Sequence, residues 1–403
     1  MTTYDENHLT FIGRTNFHNE RRLFGIRRRD RRAHTYVIGK TGTGKSTLLE
    51  TLIRQDIEAG EGLAILDPHG SLVESALSYV PGKREADVIY FNVPDRTNPM
   101  GFNPLERVTP EKRPLAASGL IEAFKKLWAE FWGPRSEHIL RNALLALLDQ
   151  REATLADVPR LFDDRDFRRR VTERVANEHV RRFWLREYEG YPARLRAEAI
   201  APLQNKVGAF LSNPILHPIL TQQESALNIR RVMDEGKLLL VNLAKGKIGE
   251  DAAMLLGALL VTSLGVSGLS RADLEEEERR DFYVYLDEFQ SFTTLSLATM
   301  LSELRKYRMN LVLAHQYLSQ LEPEMQDAIV GNVGTIISFR LGMNDAELMA
   351  KEFYPVFSAD DLISLPNYSV YLKLMVEGTV TSPFSAATLK PTYTRSLLTH
   401  SRS

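Results

Sequence analysis

Cysteine is absent from the 403 residues, which excludes a disulfide framework, a thiol nucleophile and Cys-ligated zinc or iron–sulfur chemistry. A reducing cytoplasm is the expected compartment. A surplus of either charge is missing too: 51 Lys plus Arg stand against 52 Asp plus Glu, a net charge of −1. The whole molecule is therefore not the basic body of a simple nucleic-acid coat, and any polyanion site must be local. The first 20 residues are polar, with no apolar stretch before a small-residue cleavage site, so no signal peptide is expected. Internal repeats and long low-complexity tracts are lacking. Long apolar runs reduce to one, Ala252 to Ser270. Gly257, Gly265, Gly268, Thr262, Ser263 and Ser267 dilute it, and it closely follows a strand-like run, so a helix buried against a sheet is expected there and not a membrane span. What is left is a soluble chain long enough for one large domain plus a smaller one.

Within that frame the residues alternate between two kinds of pattern. Thr35 to Ile38 is β-branched and aromatic and enters Gly39-Lys40-Thr41-Gly42-Thr43-Gly44-Lys45-Ser46. Leu48, Leu49, Leu52, Ile53 and Ile57 then recur on one helical face, and Gly60 stands where a C-cap glycine would. Short strand-type runs follow at Leu63–Leu66, Val88–Phe91, Leu238–Val241, Tyr283–Leu286, Leu311–Ala314 and Thr335–Leu341, most of them separated by helical segments. This order predicts an α/β domain with a largely parallel sheet, over 33–104 and 234–403. Val370–Val376 and Thr379–Thr381 around Glu377-Gly378 read as an antiparallel hairpin at the sheet edge.

From 105 to 233 the strand signals vanish, and the chain reads as an inserted all-helical domain with aromatics at Phe124, Trp128, Phe131, Trp132, Phe183 and Trp184. Its arginines at 165, 168, 169, 170, 174, 181, 182, 186, 194 and 196 read as helix faces paired with Glu173, Glu178, Glu187 and Glu189. Residues 1–32 form a basic segment ending in Arg21, Arg22, Arg27, Arg28, Arg29, Arg31 and Arg32. It is either a solvated linker or a patch facing phosphates, since it immediately precedes the glycine loop. Leu274 to Glu278 reads as an acidic surface loop.

The chemistry starts at Gly39 to Ser46, which fits G-x-x-x-x-G-K-[S/T] in a strand–loop–helix context. A triphosphate needs inward-pointing backbone N–H groups and a helix N-terminus aimed at the anion, and several glycines permit that turn. Lys45 supplies a point charge for the β- and γ-phosphates, and the Ser46 hydroxyl can ligate Mg²⁺. Hydrolysis also needs a carboxylate at a neighbouring strand end and a group to orient water. Asp287 and Glu288 end an apolar run: Asp287 is assigned to Mg²⁺, Glu288 to general base or water positioning. Gln316, after Leu311–Ala314, is either a γ-phosphate or water sensor, its amide able to donate and accept, or a satisfied loop residue. Asp67, ending Leu63–Leu66, touches Mg²⁺ or water, or caps the next helix. For the arginine that completes charge at the γ-phosphate, Arg340 and Arg305 are the candidates; an arginine leaving an apolar strand is unusual and favours Arg340.

Gly39 to Thr47, Asp67-Pro68-His69-Gly70, Asp287-Glu288-Phe289, Arg305-Lys306-Tyr307, Ala314-His315-Gln316 and Phe339-Arg340-Leu341, in that order, resemble the HerA/FtsK superfamily of ring ATPases. Within it the likeness is to the soluble motor part of TraG/TraD-type coupling proteins of type IV secretion, and the helical insertion matches that group's all-alpha domain. The resemblance covers most of the chain. It implies a RecA-like P-loop NTPase fold and a homo-hexameric ring with ATP at subunit interfaces. It also implies DNA translocation through a central channel, and a secretion-channel or relaxase partner. Gly39, Lys40, Thr41, Gly42, Thr43, Gly44, Lys45, Ser46 and Thr47 would bind ATP, Ser46 and Asp287 the Mg²⁺, and Glu288 and Gln316 would act with an arginine supplied in trans. The sequence departs from many coupling proteins in lacking N-terminal transmembrane helices, which leaves a cytoplasmic motor or one peripheral to the inner membrane. A protein-secretion or pilus-assembly ATPase, a HerA-like DNA-processing translocase and a nucleotide-gated assembly module are the competing readings. The acid pair Asp287-Glu288 argues against the last, because a pure binder has no need of a second acid.

Overall fold

A computed structural model describes residues 5–16, 21–127 and 133–391. The strand-type runs become β3 (Thr35–Ile38), β4 (Gly62–Asp67), β5 (Val88–Asn92), β6 (Leu238–Asn242), β7 (Phe282–Leu286), β8 (Met309–His315) and β9 (Thr335–Ser338). They lie side by side in the order β9-β3-β8-β7-β4-β6-β5, and every neighbouring pair is parallel. Side chains alternate across the pleat, so Tyr36 and Ile38 enter one apolar cluster while Val37 enters the other. Both faces of the sheet are covered, which is why these runs are apolar throughout.

One face carries the helices Lys45–Ala59 and Ser71–Tyr79, with Leu48, Leu52, Ile53 and Val73 in the core. The other carries Glu250–Ser270, Leu295–Leu304 and the helices of the insertion. Helix Glu250–Ser270 is long and apolar enough to cross a membrane, yet 83% of its most apolar window is buried inside the protein. Its glycines have a packing reason: a methyl at Gly257 would stand 2.2 Å from the Phe292 ring.

Among the described residues the region read as helical has no strand, and its helices run from Arg113–Leu127 through Pro134–Leu148 and Ala193–Leu211 to Ile229–Glu235. Phe124, Phe183 and Trp184 are buried within it, while Trp128, Phe131 and Trp132 lie outside the described residues. Its core is continuous with that of the sheet, because Arg113–Leu127 packs on Glu250–Ser270 with Gly119 against Thr262. Its last helix runs past 233 and is closed by Gly236 in the left-handed conformation. The arginines divide. Arg168 is buried on Glu189 at 2.7 Å, Arg194 pairs with Glu198 at 2.9 Å, and Arg165, Arg170, Arg174, Arg181, Arg182 and Arg186 are exposed. Glu187 binds His138 and Tyr191 instead of an arginine.

Two expectations are corrected. The described part of the basic segment 1–32 is not a solvated linker: β1 (Leu9–Thr15) and β2 (Leu23–Arg27) extend the sheet beyond β9. Its arginines are largely held by the protein's own acids. Arg31 is buried on Asp56, Arg28 on Glu61, and Arg32 binds Asp281 at 2.8 Å. The second concerns the C-terminal hairpin. β10 (Ser369–Lys373) lies inside the sheet between β9 and β13 (Phe384–Thr388), antiparallel to both. Only β11 (Met375–Val376) and β12 (Thr379–Val380) pair around Glu377-Gly378, as a separate two-stranded ribbon. The complete order is β2-β1-β13-β10-β9-β3-β8-β7-β4-β6-β5.

Candidate active site

Parallel strands end at the same edge, so β3, β4, β6, β7 and β8 deliver Gly39, Asp67, Lys245, Asp287 and Gln316 to one side of the sheet. The loop after β3 turns through Gly42 at φ 76° and Gly44 at φ 121°, conformations that glycine adopts without steric cost. Thr43 Oγ1 donates to the Lys40 carbonyl at 2.7 Å, and Lys40 N donates to the Arg340 carbonyl at 2.9 Å. Lys45 begins the helix; its ammonium is buried and donates to the loop carbonyls of Gly39 at 2.5 Å and Lys40 at 3.1 Å. Burial depresses the Lys45 pKa, with Asp287 and Glu288 opposing that shift. Thr41 and Ser46 present exposed hydroxyls.

Asp287 follows β7 and is 8% exposed. Burial first, then the nearby charges of Asp67 and Glu288, push its carboxyl up to about 6, while Lys45 opposes the shift. A cation bound beside Asp287 would relieve the repulsion among these acids. Among the described residues no group of three or more His, Asp and Glu is arranged to hold a metal alone. A cation held by one carboxylate, a hydroxyl and substrate phosphates requires no such group.

Glu288 adopts φ 46°, a left-handed conformation unusual for a glutamate. Its carboxylate is fully engaged: Oε1 accepts from Gln316 Nε2 at 2.6 Å and meets His69 Nε2 at 3.0 Å, while Oε2 accepts from Lys245 Nζ at 3.0 Å. Burial works to raise its pKa, but the hydrogen bonds and charges of His69 and Lys245 prevail and hold it below the usual carboxylate range. Gln316 in turn accepts from Thr41 Oγ1 at 2.8 Å. One amide thus bridges the phosphate loop and the acid, using both halves of its polarity.

The remaining expectations sort by position. Asp67 caps the helix Ser71–Tyr79, accepting from Leu72 N at 2.7 Å and Val73 N at 3.2 Å, and from His69 N at 2.8 Å. Arg340 adjoins its own phosphate loop, with its guanidinium on the Leu365 carbonyl and Asn367 Oδ1. Arg305 lies beside Tyr307 before β8, at the amino ends of the strands and so on the opposite edge from the loop. It is exposed, in a cleft with Arg29, Arg279 and Lys306. Sequence reasoning missed Lys245 altogether and gave His69 no role. Lys245 was open to discovery, since it follows the strand Leu238–Val241 and must leave it at the same edge as Asp287.

A family model described as the type IV secretion-system coupling protein DNA-binding domain matches residues 24–353. No curated protein matches in sequence. Among solved structures, the bacterial conjugative coupling protein TrwBdeltaN70 is 19% identical with a TM-score of 0.64, covering 90% of this chain and 86% of that one. The coupling protein TrwB in complex with ADP and Mg²⁺ is 17% identical at a TM-score of 0.64, over 91% and 87%. VirB4 of Thermoanaerobacter pseudethanolicus is 14% identical at 0.64, over 96% and 98%. At these identities the likeness is one of fold: an α/β P-loop core with a mostly parallel sheet and a helical insertion.

Proposed function

The chain belongs to the family of type IV secretion-system coupling protein DNA-binding domains, and from that premise and its site we infer that it is an ATP-hydrolysing motor that moves DNA in conjugative transfer. The observation that carries the inference is the Gln316 bridge, 2.8 Å to Thr41 on the phosphate loop and 2.6 Å to Glu288. A protein that only binds nucleotide has no use for a second acid wired to its loop. A motor has, because hydrolysis must be reported to the rest of the chain.

Each residue then has a task. The amides of Gly39–Thr47 and the Lys45 ammonium receive the phosphates, exchanging the loop carbonyls for the ligand. Ser46 and Asp287 would hold Mg²⁺, which when bound neutralises charge on the β- and γ-phosphates. Glu288, ionised at neutral pH, orients the attacking water and accepts its proton once a carboxylate oxygen is released from His69 or Lys245, the partners that hold it. Gln316 follows the γ-phosphate through Thr41 and passes its position to Glu288. Arg305 is the better arginine to act in trans: it is exposed and lies away from its own loop, whereas Arg340 is already bound within its own chain. The assembly is read as a homo-hexamer with ATP at subunit interfaces, working with a relaxase or secretion-channel partner.

The test is ATP turnover with and without DNA at low salt. Turnover should rise with DNA, and the stimulation should fall steeply as salt rises, because phosphate contacts release counterions. Turnover indifferent to DNA, with no DNA bound at low salt, overturns the DNA motor. Stimulation by a channel protein alone would replace it with a motor for protein secretion.

A further inference from the structure

Tyr368, in the turn between helix Ala359–Ser364 and β10, adopts φ 63°. A bulky aromatic rarely takes the left-handed conformation, and such residues cluster where a site demands them. The backbone here is tied on both sides. Tyr368 N donates to the Thr43 carbonyl of the phosphate loop at 2.8 Å, and the Tyr368 carbonyl accepts from Thr388 N at 2.9 Å and Thr388 Oγ1 at 3.2 Å. Its ring lies against the loop: a methyl on Gly44 would stand 2.9 Å from Tyr368 Cδ1 and 3.0 Å from Phe339 Cε1. Yet the residue is 44% exposed, and among the described residues its ring stacks on no other and its hydroxyl makes no hydrogen bond.

A strained backbone therefore holds an open aromatic face at the lip of the phosphate loop. Beyond β13 the chain is anchored on the helix that starts at Lys45 by a buried contact, Thr51 Oγ1 donating to the Leu389 carbonyl. The contacts of Tyr368 with Thr43 and Gly44 put its ring beside any phosphates seated on Gly39–Ser46, where the rest of a nucleotide must leave the loop. We propose that Tyr368 is the stacking platform for the base of the bound nucleotide. The proposal rests on the reading of Gly39–Ser46 as a nucleotide site and adds to it the subsite for the base. Stacking uses the π-face that every base has, so the platform contributes affinity and not a choice among purines.

The experiment compares two ligands on the full chain, ATP with Mg²⁺ and inorganic tripolyphosphate, which has the phosphates and no base. Tyr368→Ala should weaken ATP by about tenfold or more, the worth of one base–aromatic stack, and leave tripolyphosphate unchanged. Tyr368→Asn repeats the test without a folding risk, because asparagine tolerates positive φ. Tyr368→Phe should bind like wild type. Tyr368→Trp should show an emission change with ATP, beyond that of wild type, and none with tripolyphosphate. Equal ATP affinity in wild type and both truncations overturns the proposal, as does equal loss of both ligands, which would mean that Tyr368 only shapes the loop. Should wild type bind neither ligand, the nucleotide reading itself falls. Binding of both by wild type with no effect of Tyr368→Asn removes the platform and leaves that reading standing.

Discussion

Removing the Asp56 carboxylate should destabilise this protein far more than removing Glu377, although both acids serve arginines of the same cluster. Arg31 and Asp56 form a two-pronged pair, Nη1 to Oδ1 at 2.5 Å and Nη2 to Oδ2 at 2.9 Å, with side chains 4% and 2% exposed. Tyr285 donates to Asp56 Oδ2 at 2.5 Å, Thr10 Oγ1 accepts from Arg31 at 2.9 Å, and the guanidinium lies 3.8 Å from the Tyr283 ring centre. Asp56→Ala strands the guanidinium in the core without a counter-charge, a loss of about 3–5 kcal/mol. Replacing both partners, as Arg31→Met with Asp56→Leu, should cost much less, because no charge is left buried. Glu377 is 63% exposed and meets Arg27 and Arg29 in water, so Glu377→Ala should leave stability nearly unchanged. Urea midpoints followed by fluorescence measure all three, and repetition at high salt should leave the Asp56 effect in place, since buried pairs are poorly screened. An Asp56→Ala shift no larger than that of Glu377→Ala, or a double variant as unstable as the single, would refute the reasoning.

Other outcomes are equally open to measurement. Lys245→Ala should lower kcat while leaving KM for ATP nearly unchanged, and Lys245→Arg should recover part of the loss; equal damage by both points to a structural role alone. Arg305→Ala should cut turnover by about a thousandfold or more, and mixing it with Lys45→Ala subunits should restore part of the activity, because the interfaces that pair the Arg305→Ala subunit's loop with the Lys45→Ala subunit's arginine have both groups. His34 accepts from Leu311 N at 3.1 Å and bonds the Leu301 carbonyl at 3.0 Å, and burial pushes its pKa down to about 4 from 6.5. The folded state therefore resists a proton that the unfolded chain takes up, so stability is full above pH 6.5 and is lost as pH falls toward 4. The total is about 3 kcal/mol; it should be absent from His34→Gln and so appear as the pH-dependent difference in stability between wild type and that variant.

The parallel strands were legible because each is a short β-branched or aromatic run with turn residues beside it, and the phosphate loop because all its chemistry is local. Asp287, Glu288 and Gln316 were legible for a related reason: parallel strands end at one edge, so strand-end polar residues meet. The acid partners of Arg28, Arg31 and Arg32 were not legible because they are remote in sequence. Asp56 stands 25 residues from Arg31 and Asp281 stands 249 from Arg32, separations that carry no signal along the chain. Gly13 and Gly25, together with the arginines, also diluted β1 and β2 below a strand pattern. β10 was placed at an edge because its turn signal, Glu377-Gly378, is real but serves the small ribbon, while the sheet partner β13 follows later. The grip of His69 and Lys245 on Glu288 needs three strand ends at once, and so appeared only in the fold.

The most direct measurement is displacement of a third strand annealed to duplex DNA, which reports movement along the DNA and not mere binding. Wild type with ATP should strip the third strand, while Glu288→Gln should bind ATP as tightly, hydrolyse it about 10²–10⁴-fold more slowly and displace nothing. Displacement by Glu288→Gln at the wild-type rate, or DNA-stimulated hydrolysis by wild type with no displacement, would contradict the account of an ATP-driven DNA motor.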